Sequence, residues 1–306
     1  MLTRELAFKV SPRDKNATFY LSAPLTAAEA ETGAGGQRSF PYIVMAMAQD
    51  GALPMHAADT AAAVRVSGLT KRYATQRVLE AVDLEVAAGA SFGLLGLNGA
   101  GKTTLIKCLL DLCARDAGQI TLYGVPADEP RARARLVYLP ERFVPPHYLS
   151  GREFLALMLT LAGKRYDATR VEARLAQLEL EPAVLDRRVR ALSKGMTQKL
   201  GLAAVLLVER DLYVLDEPMS GLDPASRIAV KSALQDLIAE GRTLFFTSHV
   251  LTDVEELCDS IAVLDRGTFR FRGTPGELCA RHGEQSLERA FLHCIRHDGH
   301  PVAPRA

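Results

Sequence analysis

Residues 96–104 read GLNGAGKTT, a spacing suited to holding phosphate. Glycines at 96, 99 and 101, with Asn98 and Ala100 completing the loop, let the chain curl so that backbone N–H groups turn inward toward phosphate oxygens. The stretch matches G-x-x-x-x-G-K-[ST]. It follows the apolar run SFGLLG and precedes the helical pattern TTLIKCLLDLC, the context that this motif requires. The start of that helix adds amides and partial positive charge. Lys102 should reach the β and γ phosphates, Thr103 should offer its hydroxyl to Mg²⁺, and Thr104 should contact phosphate. A chance glycine turn supplies a lone G-x-G far more readily than the whole motif with both flanks.

DLYVLDEP, residues 211–218, supplies the carboxylates. An apolar strand ends in Asp216, at the edge where ligands gather in open α/β sheets, and Asp216 is expected to hold Mg²⁺ through water. Glu217 follows at the strand's exit, where it can orient and deprotonate an attacking water. A solvated turn would explain a DE pair in isolation. It does not explain an apolar strand delivering two carboxylates downstream of a phosphate loop. Asp111 and Asp116 read only as surface or helix-end charges.

These residues need elements to position them. From Val64 the runs VRVSGLTKRY and RVLEAVDLEV predict two strands around a turn, and QITLYG predicts another. Residues 152–207 are mainly helical in pattern, with a break near Arg187–Leu192. After them come a strand to Asp216, a helix opened by Asp223-Pro224 and closed by Gly241, the strand TLFFTS, a short helix to Cys258, and the strand SIAVLD turning at Asp265-Arg266-Gly267. Strands alternating with helices imply a largely parallel sheet covered on both faces. The predicted fold is α/β, a P-loop NTPase with a helical subdomain over about 142–205 and an antiparallel β edge subdomain.

Residues 1–62, alanine- and glycine-rich with scattered prolines, read as a poorly ordered extension, although LAFKV and ATFYLSA are compatible with short strands. Methionines at 45, 47 and 55 are alternative starts. Residues 63–278 form the expected nucleotide-binding domain, and 279–306 a final helix and tail whose Leu287, Ala290, Phe291 and Ile295 make an apolar face.

Composition narrows the function. The chain has 306 residues, 48% hydrophobic and 24% charged, with a formal net charge of +1. That balance gives no argument for a nucleic-acid surface. The apolar runs GLAAVLLV and LALMLTLA fall short of the roughly 18 residues that a membrane helix needs. Five cysteines, at 108, 113, 258, 279 and 294, lack metal-ligand spacing and read as buried free thiols of a reducing compartment. The expected location is cytoplasmic.

Over most of Val64–Leu278 the chain resembles the ATP-binding subunit of ABC transporters. The resemblance implies ATP and Mg²⁺ as ligands, with Lys102, Asp216 and Glu217 as the phosphate-loop lysine, magnesium aspartate and catalytic glutamate. Tyr73, at the end of GLTKRY, resembles the aromatic that stacks on adenine, although aromatics are common strand residues. SGLD, residues 220–223, resembles the loop that communicates across the dimer, with Asp223 also a plain N-cap before Pro224. His249, directly after TLFFTS, resembles the switch histidine that contacts the γ-phosphate.

LSKGMTQKL, residues 192–200, resembles the family signature. Ser193 begins the helix, and Gly195 in its first turn leaves room for a phosphate at exposed amides. Met196, Leu200, Ala203 and Leu207 then recur at helical spacing and should bury one face. In this family such a helix completes the site of another subunit, so one loop and one signature per chain imply a homodimer, or a heterodimer with a like subunit. Lys194 and Met196 stand where glycine and glutamine are commonest. Glu141, in VYLPERF, stands where many members carry a glutamine that senses Mg²⁺, water and the membrane partner. A carboxylate accepts from metal-bound water but cannot donate as an amide does.

Both departures, together with GTPGEL and SLERAFL, resemble the exporter branch with an ABC-2-type membrane partner. The resemblance thus implies ATP hydrolysis powering export through a separate permease, on the inner face of the membrane and without nucleic acid. A soluble ABC-type regulator or nucleic-acid machine is the alternative, but no tandem domain, long coiled coil or basic arm is visible. An unrelated phosphate-loop enzyme leaves the signature and His249 unexplained.

Overall fold

The computed structural model describes residues 8–10, 18–21, 44–46 and 62–297. Contacts divide the chain into two compact units. One holds residues 1–50, 137–210 and 218–233, and the other 51–136, 211–217 and 234–306. The chain therefore passes between them repeatedly.

The second unit is built on five strands, with β10 (Leu212–Asp216), β11 (Thr243–Thr247), β6 (Ser91–Leu95), β12 (Ser260–Asp265) and β13 (Thr268–Gly273) in that spatial order. The first four run parallel, and β13 pairs antiparallel at the edge. Every residue of β6, β10 and β11 is buried. This is why SFGLL, LYVLD and TLFFT read as continuous apolar runs rather than alternating ones. Phe92 and Phe245 meet across β6 and β11 with ring centroids 5.1 Å apart, an aromatic contact within the preferred range.

Helix α1 (Lys102–Leu109) leaves the end of β6, and α6 (Leu251–Leu257) lies between β11 and β12. The helix α5 (Pro224–Ala239) runs from the first unit into the second. Gly93 lets α6 approach the sheet, since a Cβ there would lie 2.9 Å from the Val254 side chain. A separate antiparallel sheet orders β5 (Gln76–Ala87), β4 (Ala62–Tyr73), β7 (Ala117–Leu122) and β8 (Val125–Pro126). It is the predicted β edge subdomain. Two final helices follow, α7 (Pro275–His282), with a Thr274–Glu277 capping box, and α8 (Leu287–His297). Leu287, Ala290 and Phe291 of α8 are buried as expected, while Ile295 is half-buried and Cys294 takes its place in the core.

The first unit joins short strands to helices. β1 (Phe8–Val10), β2 (Thr18–Leu21), β3 (Val44–Ala46) and β9 (Leu136–Leu139) pair antiparallel in sequence order. Three of these strands lie in the stretch expected to be an extension, and Met45 is in β3; Met47 and Met55 lie outside the described residues. The helices are α2 (Gly151–Leu161), α3 (Ala168–Gln177) and α4 (Lys194–Val208). A reciprocal Ser150–Glu153 capping box opens α2, and the Asp167 side chain caps α3.

In α4 every residue from Gln198 to Val208 is buried. The expected single apolar face was too narrow. A small-residue run such as Gly201, Ala203 and Ala204 lets neighbours close on all sides, and Phe143 packs where a Gly201 Cβ would stand.

Among the described residues no helix is long and apolar enough to cross a membrane. The expectation of buried thiols holds for Cys108, Cys258 and Cys294, whereas Cys113 and Cys279 are partly open. Replacing Phe245, which is fully buried in β11, tests how much of the stability rests in this sheet. Phe245→Ala is expected to lower it by about 3–5 kcal/mol in denaturant titration.

Candidate functional site

The phosphate loop occupies the turn from β6 into α1. Gly101 takes φ 114° as the residue before the helix, where a Cβ would also press within 2.9 Å of the Val78 carbonyl oxygen. A side chain at Gly96 would collide with the Leu264 carbonyl. Both glycines are thus demanded by carbonyls that close on the loop, and Gly101 by its backbone conformation as well. Lys102 opens α1, and its ammonium donates to the Gly96 carbonyl at 2.6 Å and the Leu97 carbonyl at 3.4 Å. Its positive charge is thus held over the loop. Asn98, Gly99 and Thr103 are exposed, while Ala100 and Thr104 are buried. No acidic side chain occupies the first turn of α1, so its amides and macrodipole are left to attract an anion.

Asp216 ends β10 and is 2% exposed. Thr247 donates to Asp216 Oδ1 at 2.7 Å, and Thr103 donates to Oδ2 at 3.4 Å. The fold therefore brings the two expected magnesium residues together. A hydroxyl beside one carboxylate fits Mg²⁺, a hard ion that takes few protein oxygens and completes its shell with water and phosphate. No group of three or more His, Cys, Asp or Glu residues suited to a metal occurs among the described residues.

Glu217 follows at φ 49°, a left-handed conformation that costs a non-glycine residue about 1–2 kcal/mol. Its N–H donates to the same Thr247 hydroxyl at 2.9 Å. Its carboxylate Oε2 accepts the His249 backbone N–H at 3.2 Å and lies 2.7 Å from His249 Nδ1. The His249 side chain is 63% exposed and that of Glu217 11%. The histidine side chain is therefore largely exposed while its ring nitrogen contacts the Glu217 carboxylate.

Thr247 is the residue that sequence reasoning missed. It sits opposite Asp216 in the parallel β10–β11 register, which only the pairing reveals; the available signal was a threonine ending an apolar strand just before His249.

Tyr73 ends β4 and is half-buried. Its hydroxyl lies 3.2 Å from Cys113 Sγ, and the Lys71 ammonium stands 5.2 Å from its ring centroid. Burial raises its phenol above the ordinary range. Asp116, expected to be a plain surface charge, accepts the Arg72 N–H at 2.5 Å and pairs with Lys71 at 3.5 Å.

The remaining candidates lie in the first unit. Ser193 caps α4, accepting the Met196 N–H at 3.2 Å. Ser193 and Lys194 are exposed, and Gly195 and Met196 are half-buried. At Gly195 the nearest atom to an added Cβ is 3.8 Å away, and its φ is not positive. Nothing within the described protein demands a glycine there. The next turn of α4 holds the segment containing SGLD. Gln198 donates to the Pro218 carbonyl at 2.9 Å, and Lys199 donates to Ser226 at 3.1 Å. Ser226 donates through its hydroxyl to Asp223 at 2.7 Å and through its N–H at 3.0 Å. Asp223 is therefore the N-cap of α5, and these bonds lower its carboxyl pKa. The apolar periodicity of α4 carries no signal for Gln198 and Lys199, whose partners lie elsewhere in the chain. Glu141 lies exposed just past β9.

The chain matches the ABC transporter family over residues 79–220. It is 38% identical over 239 residues to the Nod factor export ATP-binding protein I of Mesorhizobium japonicum, covering 75% of this chain and 69% of that protein. It is 39% identical over 203 residues, 65% of its length, to an uncharacterized ABC transporter ATP-binding protein of Synechocystis sp., and spans 57% of that relative. Among solved structures it is similar to one described as the ATP-binding subunit of an ABC transporter. That likeness has a TM-score of 0.68 at 32% identity and covers 76% of this chain and 98% of that one.

Removing the shared hydroxyl should expose its importance. Thr247→Val removes the hydroxyl that bonds both the Glu217 N–H and the Asp216 carboxylate, so it is expected to cost about 1–3 kcal/mol and to slow ATP hydrolysis. Thr247→Ser should restore most of both in denaturation and phosphate-release measurements.

Proposed function

This chain belongs to the ABC transporter family of ATP-binding proteins, and on that footing we propose that two subunits close around ATP, hydrolyse it and so drive export through a separate membrane permease. The observation that carries the catalytic part is the Asp216–Thr247–Glu217 arrangement beside Thr103 and Lys102. It gathers the groups that phosphoryl transfer requires at the ends of adjacent parallel strands.

Lys102 and the α1 amides hold the phosphates and offset charge that grows on the terminal phosphoryl group. Thr103 and Asp216 would hold Mg²⁺, which would supply positive charge against the phosphates. Glu217 orients the attacking water. Its Oε2 is engaged by His249, so Oε1 accepts the water's hydrogen and takes the proton as the oxygen attacks phosphorus. His249 contacts the γ-phosphate and links its presence to the position of Glu217. Tyr73 supplies a face for the adenine.

Ser193, Lys194, Gly195 and Met196 act on the nucleotide held by the other subunit. The support for this is that an added Cβ at Gly195 would meet only ordinary contacts, so the protein's own packing leaves the glycine unexplained. Two like subunits thus make two composite sites, as a homodimer or with a close relative. Glu141 takes the place of the magnesium- and water-sensing glutamine, accepting from a metal-bound water. Near it, Val144 and Tyr148 are exposed at 48% and 37%, which supports a docking role for the 141–148 loop toward an ABC-2-type permease. Export is favoured by the Nod factor export relative. The subunit then works on the inner face of the membrane.

Glu217→Gln tests the base directly. ATP should still bind, turnover should fall about a hundredfold or more, and ATP should trap a dimer on size-exclusion chromatography. Unchanged turnover would remove Glu217 from this role. Purification from native membranes should bring down a permease subunit, whereas a membrane-free complex would sink the transport reading.

A further inference from the structure

Helix α1 leads directly from the phosphate loop to a pair of thiols. Past its end the chain turns back, with the N–H groups of Leu112 and Cys113 both donating to the Lys107 carbonyl at 2.9 and 3.3 Å. That carbonyl immediately precedes Cys108, so the reversal carries Cys113 back beside Cys108. It shortens a separation that a straight helix would keep beyond the usual limit of about 7 Å between the Cα atoms of a disulfide.

Cys108 is 1% exposed, while Cys113 is partly open. Cys113 Sγ lies 3.2 Å from the Tyr73 hydroxyl and 3.6 Å from the Ala114 carbonyl. The groups of this corner act on one another. Burial, then the neighbouring Cys113, pushes the Cys108 thiol up to about 12. Tyr73 is shifted upward by burial and by both cysteines, while Thr104 of the phosphate loop acts in the opposite direction. Lys71 and Arg115 bring positive charge to the same corner. The partly open Cys113 thiol is reached by an oxidant before the buried Cys108.

We propose that Cys108 and Cys113 form a reversible dithiol whose oxidation to a disulfide weakens nucleotide binding by releasing Tyr73. The inference rests on the reading of Tyr73 as the adenine platform. The oxidant is a peroxide. Cys113 sulfur attacks one peroxide oxygen, the O–O bond breaks, and sulfenic acid forms as the other oxygen leaves as water. Cys108 sulfur then attacks Cys113 sulfur, the S–O bond breaks, and the second oxygen leaves as water with the thiol protons. Two thiols are oxidised by two electrons, and the peroxide is reduced to water. The high Cys108 value makes this second step the slow one. Once bonded to Cys108, the Cys113 sulfur is drawn toward that residue and away from the Tyr73 hydroxyl. The ring then loses the contact with Cys113 that holds it. A small-molecule thiol reverses the change.

The test uses the purified full chain and hydrogen peroxide. Trypsin releases Cys108–Arg115 as one peptide, which after oxidation should be lighter by the two thiol hydrogens and should resist alkylation. Binding of a fluorescent ATP analogue should weaken about 3–10-fold, the scale of one lost hydrogen bond, and recover with dithiothreitol. Cys113→Ser keeps a hydroxyl facing Tyr73, so it should bind like reduced wild type and ignore peroxide. A Cys108–Arg115 peptide that stays fully alkylatable, or a disulfide without a change in affinity, overturns the proposal; so does a Cys113→Ser protein still weakened by peroxide. Tyr73→Ala separates the two readings. If it binds like reduced wild type, the platform reading fails. If it binds weakly while oxidised wild type does not, only the thiol switch fails.

Discussion

Because β10 and β11 run parallel with Asp216 opposite Thr247, one hydroxyl serves two successive residues of the neighbouring strand. It donates to the Asp216 carboxylate and accepts the Glu217 N–H. A hydroxyl has one proton to give and lone pairs to receive with, so this sharing satisfies its main capacity in a buried setting. It also holds Glu217 in a left-handed conformation that its side chain disfavours. The rest of the catalytic edge depends on this arrangement. Asp216 is positioned for Thr103, and Glu217 is turned to meet His249.

The glycines of GLNGAGKTT and LSKGMTQKL differ in what they answer to. Gly96 and Gly101 are required by contacts inside the protein, with the Leu264 and Val78 carbonyls standing where side chains would go. Gly195 has only ordinary contact distance around it. A glycine there costs about 1 kcal/mol relative to alanine in helix stability, with no internal packing gain to offset it. The polar residues one turn later have a different task. Gln198, Lys199 and Ser226 tie the helix start to the segment carrying SGLD, so a push on either is felt by the other.

Much of the site was legible because its chemistry is local. GLNGAGKTT, DLYVLDEP and the N-cap of LSKGMTQKL each place their functional groups within a few residues, where backbone geometry and helix-start rules apply directly. The all-apolar strands likewise announced a sheet buried on both faces. Burial of α4 on every side was not legible. A helical period tells which positions are apolar, but the neighbours that cover the remaining faces come from elsewhere in the chain.

From its sequence alone, then, this protein determined the phosphate loop, the carboxylate-bearing strand, the signature helix and the alternation of strands with helices. Each depends on residue type over short spans, where steric limits and periodicity act. The tertiary structure decided which distant groups share a proton or a pocket. Thr247 reaches Asp216 only through strand register, and Tyr73 reaches Cys113 only because β4 and the end of α1 meet. Hydrogen bonds have a range of about 3 Å, and no spacing along the chain predicts which distant residues come that close.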